Sequence, residues 1–149
     1  MNLKIAQALV LNELNKHNLN EYTFEFSRAK RTKGQCWYIQ KVIKLSKSYV
    51  ELNSFQVVYN TILHEIAHAL TYKKYNVLGH NRIWKKVCYE IGCNGERVNK
   101  DAINEYNYFY KCQKCGHIIG TYRKLKNVGN KFHKNCGSEG RIIKVEREG

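Results

Sequence analysis

The stretch Thr61-Ile62-Leu63-His64-Glu65-Ile66-Ala67-His68-Ala69-Leu70 holds two histidines four residues apart, with a glutamate directly after the first. On a helix, residues four apart stand one above the other on the same face, so His64 and His68 aim two imidazoles at one point. That arrangement supplies two ligands to a zinc ion. Glu65 sits beside such an ion but is poorly placed to bind it, which leaves its carboxylate free to take a proton from a water that the metal acidifies. The chemistry this spacing points to is hydrolysis, with Glu65 as general base.

A five-letter pattern with two free positions also arises by chance, so its helical context has to carry the weight. Phe55, Val58, Tyr59, Ile62, Leu63, Ile66, Ala69 and Leu70 form an apolar stripe, while Thr61, His64, Glu65, His68 and Tyr72 share the other side. One face is core and the other is chemistry. Asn53 with Gln56 reads as a capping box at the start of this helix, and Asn76 as a left-handed stop at its end.

A catalytic zinc takes three protein ligands and keeps one position for water, so a third ligand must come from elsewhere in the chain. Thr71 and Lys74 stand where the metzincin pattern requires Gly and His, which excludes that pattern. His80, within Val77-Leu78-Gly79-His80-Asn81-Arg82-Ile83-Trp84, is the preferred third ligand. Glu90 is the alternative; it lies on a following helix whose apolar stripe is Ile83, Trp84, Val87 and Ile91, and which Gly92 ends. Trp84 reads as packing for the loop that carries His80.

A second constellation lies near the C-terminus. Cys112-Gln113-Lys114-Cys115-Gly116 and His133-Lys134-Asn135-Cys136-Gly137 share a two-residue gap and a glycine directly after the second ligand. The symmetry puts His133 where the first knuckle has Cys112, with His117 as the competing ligand. A Cys3His site has no open position and is structural, so it holds together a segment too short to bury a core of its own. Two zinc ions are expected, one catalytic and one structural.

The 149 residues carry 26 Lys and Arg against 12 Asp and Glu, a formal charge of +14. A balance this basic points to a polyanionic partner. Between Tyr110 and Val145 nine cations face one acid, Glu139. Lys111, Lys114, Arg123, Lys124, Lys126, Lys131 and Lys134 interleave there with Tyr110, Tyr122 and Phe132. Phosphate pairing combined with base stacking is how single-stranded nucleic acid is held without sequence preference, so single-stranded DNA is the expected ligand, with at least one ring filling the interior instead. No apolar run approaches the roughly 18–20 residues of a membrane helix, and Ile5–Leu11 is broken by Gln7. A soluble, cytoplasmic monomer is expected. Cys36, Cys88 and Cys93, odd in number, read as reduced buried thiols.

The elements that must position these residues are readable in outline. Leu3 to about His17 has helical periodicity; Tyr22, Phe24 and Phe26 alternate as a strand; Cys36–Gln40 and Val42–Leu45 read as two more. The expectation is an α+β fold, in the order helix, three-stranded antiparallel sheet, zinc helix and further helix, followed by a small zinc ribbon. The protease domain would span 1–107 and the ribbon 108–149, with 94–107 as the link between them.

The chain resembles the SprT-like (Spartan) metalloproteases of the compact bacterial or viral kind. The resemblance rests on Phe26-Ser27-Arg28-Ala29, Gly34-Gln35-Cys36, Ile43-Lys44-Leu45-Ser46, His64-Glu65-Ile66-Ala67-His68-Ala69, Gly79-His80 with an aromatic at 84, and the C-terminal knuckles. It covers nearly the whole chain and lacks the long regulatory tail of eukaryotic relatives. It implies His80 as the third ligand and, as activity, DNA-stimulated cleavage of proteins attached to or crosslinked with DNA. Two other readings stay open on residues alone: a nucleic-acid-binding protein whose zinc is only structural, and a general intracellular zinc peptidase.

Overall fold

The computed structural model describes residues 1–146. Two units divide the chain, Met1–Glu105 and Tyr106–Gly149. In the first, α1 (Leu3–Lys16) is followed by β1 (Thr23–Ser27), β2 (Gly34–Trp37), β3 (Val42–Ser46), α2 (Lys47–Leu52), α3 (Phe55–Tyr75) and α4 (Arg82–Ile91). The second holds β4 (Tyr108–Cys112), β5 (Ile118–Thr121) and β6 (Ile142–Val145). The architecture is α+β.

Local chemistry sets the helix ends. Asn2 caps α1 by accepting from the Lys4 and Ile5 N–H groups, and Ser46 caps α2 through Tyr49 N–H. The expected Asn53 box at the start of α3 is replaced by Ser54, whose hydroxyl accepts from Val57 N–H. Asn76 (φ 53°) and Gly92 (φ 93°) close α3 and α4 in the left-handed region, as their positions predict.

The first sheet departs from the expected antiparallel order. Its order is β1-β3-β2, with β3 parallel to β1 and antiparallel to β2. Parallel neighbours need a crossover of about a dozen residues or more, which 28–41, including β2 itself, supply. The apolar strand β3 takes the centre, where Ile43 and Leu45 are fully buried, and β2 is left as an edge.

α3 runs across this sheet and packs against α1, α4, β2 and β3. Val58, Ile62, Ile66 and Ala69 are sealed into a core shared with Ala6, Val10 and Val50. Between Thr61 and Thr71 the opposite face is also covered, so Glu65 and His68 are buried rather than solvated. The chemical face of α3 lines a cleft.

Two further differences come from contacts distant in sequence. Asn53 lies in the interior: its amide donates to the Tyr49 and Ile103 carbonyls at 2.8 Å each, and its oxygen accepts from Ile103 N–H at 2.7 Å. The stretch expected to be a plain link thus packs, through residue 103, on the first unit. Cys88 and Cys93, expected as free thiols, form a disulfide. Gly92 turns the chain back so that Cys93 N–H donates to the Cys88 carbonyl, which brings the two side chains together.

Asn53→Ala leaves one buried N–H and two carbonyls without their partner. The expected loss is about 1–3 kcal/mol, read as a lower urea midpoint at unchanged slope.

Candidate metal centres

Three imidazoles meet in the first unit. His64 Nε2 lies 2.8 Å from His80 Nε2 and 3.2 Å from His68 Nε2, and the His68 and His80 nitrogens are 3.1 Å apart. Three ring nitrogens so close cannot all be satisfied by one another's protons. The spacing approaches the edge of about 3.3 Å expected between nitrogens bound tetrahedrally to one zinc, so the group fits that metal. Glu90, the alternative ligand, is exposed on α4 and outside the group.

Each ligand is held from behind. Trp84, almost wholly buried, places its ring 4.7, 5.2 and 4.6 Å from those of His64, His68 and His80, and so forms a floor under all three. The Glu96 carbonyl accepts a hydrogen bond from the His64 ring. A donor bond from one ring nitrogen selects the tautomer that leaves the other free for metal. Gly79 (φ 82°) makes the turn that brings His80 over α3 from its own loop.

Burial, reinforced by the neighbouring rings, pulls His64 down to about 4 and His68 down to about 3. His80 is lowered too, by burial and then by Arg97. All three are neutral near pH 7, the form that ligates. Glu65 responds to burial in the opposite sense and is pushed up to about 8.

The cleft over these groups has a volume of about 500 Å³ and is lined by Gly34, Cys36, Tyr38, Tyr49 and Thr61 as well as the three histidines and Glu65. Gly34 is a fitted neighbour of Glu65. A Cβ added there would lie 2.8 Å from Glu65 Oε1 and 3.1 Å from Thr61 Cγ2. The Tyr38 ring packs on Tyr72 at 5.0 Å and edge-on to His68 at 6.3 Å. Burial first, then Cys36 and Glu65, push the Tyr38 phenol up to about 12, so it keeps its proton. Gly34, Tyr38 and the Glu96 carbonyl carry no sequence signal of a role at the metal; only the fold brings them in.

In the second unit Cys112, Cys115, His133 and Cys136 converge, with their donor atoms within 4.8 Å of one another. His133 presents Nδ1, 3.4 Å from Cys115 Sγ and 3.3 Å from Cys136 Sγ. His117 stacks on His133 at 4.9 Å and stays outside the group. Gly116 (φ 74°) and Gly137 (φ 58°) both take the left-handed conformation that the paired knuckles require. The backbone N–H groups of Cys115 and Lys114 lower the pKa of Cys112, while burial and the other two sulfurs push Cys136 up to about 11. Crowded thiols of this kind fit one zinc, whose charge offsets theirs.

Around this site Lys111, Lys114, Arg123, Lys124, Lys126, Lys131 and Lys134 are exposed. Lys114 is engaged with Glu139 at 2.7 Å. Of the three rings, Tyr110 is fully buried and its hydroxyl accepts from Leu125 N–H; Tyr122 is half-buried against Tyr106; Phe132 is exposed. Among the described residues no helix is long and apolar enough to cross a membrane.

Two outcomes test these sites. In chelated protein, a carboxyl raised from 4.5 to about 8 favours the fold only while protonated, so its contribution falls as pH climbs through that window. The depressed histidines act in the reverse sense, adding stability from about pH 3–4 up to 6.5. Metal-free stability should therefore peak near pH 6.5 and decline toward 8, and Glu65→Gln should remove the decline; thermal melts across pH check both. At the second site, Cys136→Ser should cut zinc from two ions per chain to one by elemental analysis, with the first unit's core still folded.

Comparison with known proteins adds the following. No curated protein matches the sequence. Among solved structures, the chain is similar to a crystal structure of the metallopeptidase zymogen of Methanocaldococcus jannaschii jannalysin, at 19% identity over 65% of this chain and 85% of that one, with a TM-score of 0.48. The sequence model of the SprT-like family matches residues 4–104, which span α1 through α4 with His64, Glu65, His68 and His80 inside them. The chain belongs to the SprT-like family.

Proposed function

We propose that this protein is a zinc metalloendopeptidase that cleaves proteins attached to DNA and is stimulated by single-stranded DNA. The observation that carries the proteolytic part is the convergence of three neutral imidazoles beside a buried glutamate in an open cleft. A zinc ion held by His64, His68 and His80 would supply Lewis acidity, acidifying water and polarising a carbonyl.

The chain's own groups do the rest. With zinc bound, its positive charge would favour the ionised Glu65, and this buried carboxylate beside His64 and His68 would accept a proton from the attacking water and return it to the departing amine. Gly34 leaves the room in which that carboxylate sits. β2, as a sheet edge whose Gly34, Gln35, Cys36 and Trp37 all border the cleft, can pair in extended fashion with a substrate backbone. Recognition then rests on main-chain hydrogen bonds and tolerates many sequences.

The DNA part is supported by charge. Nine cations against one acid in the ribbon segment, with Phe132 exposed, suit phosphate pairing and base stacking. Linking such a segment to the protease raises the effective concentration of any protein already fixed to the same strand.

The test compares the protein with Glu65→Gln on a DNA-crosslinked substrate, with and without single-stranded DNA. DNA-dependent fragments from the parent, reduced about 10²-fold or more in the variant at full zinc content, are expected. Cleavage indifferent to DNA would make it a general peptidase, and salt-sensitive binding without cleavage a binding protein. Gly34→Ala should lower turnover by about 10²-fold with both zincs retained.

A further inference from the structure

The outer face of α4 carries chemistry that the metal centre does not use. Tyr75, Arg82, Ile83, Lys85, Lys86 and Tyr89 line an open groove of about 560 Å³. Tyr75 and Tyr89 are 52% and 58% exposed and border the same groove. Lys85 lies 6.0 Å above the Tyr89 ring. Gly95 braces that ring from the side, since a Cβ there would come within 2.7 Å of it. Tyr89 is therefore presented in a set position.

Charge says what covers this face. No ion pair among the described residues engages Arg82, Lys85 or Lys86, and the acid nearest in sequence on α4 is Glu90. Lys85 also borders a second cavity, about 690 Å³, shared with Arg97, Lys100 and Glu96 and opening beside His80. Cations thus continue from the α4 groove to the mouth of the metal centre. An apolar protein surface would strand these charges. A duplex offers phosphates but hides its base faces, whereas an unpaired strand offers both.

We propose that the α4 face is a second nucleic-acid contact, on the protease unit itself: Tyr75 and Tyr89 stack bases of a single strand while Arg82, Lys85 and Lys86 pair its phosphates, leading the strand toward His80. The inference rests on the nucleic-acid reading of the ribbon for its biological sense but on separate residues for its contacts.

The test titrates the whole zinc-loaded protein with an oligothymidine carrying one 2-aminopurine. Tyr89→Ala should weaken binding by about tenfold and reduce the quenching of the probe, with both restored in Tyr89→Phe. Lys85→Ala with Lys86→Ala should lower the slope of log affinity against log salt by about 1.4, at about 0.7 for each phosphate lost. Zinc content and thermal midpoint, unchanged because these side chains are exposed, confirm folding. Parental affinity in the α4 variants together with loss in Lys124→Ala, Lys126→Ala overturns this inference and leaves the ribbon reading intact. Loss in the α4 variants with none in the ribbon variant supports it and removes the ribbon. Displacement by polyglutamate as effective as by oligothymidine would make the occupant an acidic peptide and overturn the proposal.

Discussion

Three imidazole nitrogens held within 3.2 Å of one another set the terms for the rest of the protease unit. Such a cluster has to be kept neutral, fixed in tautomer and supported from below, since loose rings would turn away from one another. A helix solves two-thirds of the problem by its pitch, and α3 can be that helix because its other face is welded into the core through Val58, Ile62 and Ile66. The third ring comes from a loop with no such support. Its position depends on the left-handed turn at Gly79, on Asn81 capping α4 directly after it, and on Trp84, one turn into α4, lying beneath all three rings. α4 is thus less a separate element than the base of the site.

The same constraint explains where the fold tolerates cost. A buried glutamate is unfavourable while charged, and Thr61, Glu65 and His68 all occupy covered positions that apolar residues would fill more stably. The sheet could be packed more tightly here too. Instead β2 approaches α3 at a glycine, and the space a methyl would have taken belongs to the Glu65 carboxylate. Stability is recovered elsewhere, in the shared core of α1, α2, α3 and β3 and in the Asn53 clamp on residue 103.

What could be read in the sequence was whatever the chain encodes locally. His64, Glu65 and His68 are spaced by helix geometry, and the two knuckles by their own short turns, so both constellations were visible before folding. The third ligand was less so: Gly79-His80 and Glu90 were both candidates, and only the path of the loop brings one ring in and leaves the other carboxylate in solvent. Sheet order was missed because alternation shows that a strand exists but not which strand it pairs with; the crossover that puts β3 between β1 and β2 is a long-range event. For the same reason 94–107 looked like linker. Its lack of periodicity hid the Glu96 carbonyl behind His64 and the pairing of residue 103 with Asn53. Charge was countable, yet its arrangement was not, since Tyr110 went inside and Lys114 found Glu139.

The two candidate metal sites also differ in the charge that a bound zinc would be left with. Three neutral imidazoles would leave the full double charge of a zinc ion facing the cleft. Three thiolates and one imidazole would more than cancel it, leaving a single negative charge and no open position. In the second unit the described buried apolar residues are few, Tyr110, Cys112 and Ile142 foremost, so burial contributes little to holding β4, β5 and β6 together. Nine cations crowd the same segment and repel one another. A zinc ion held by Cys112, Cys115, His133 and Cys136 would oppose that repulsion with a slightly anionic cluster while crosslinking the two knuckles, and would let a scaffold this small carry the positive surface.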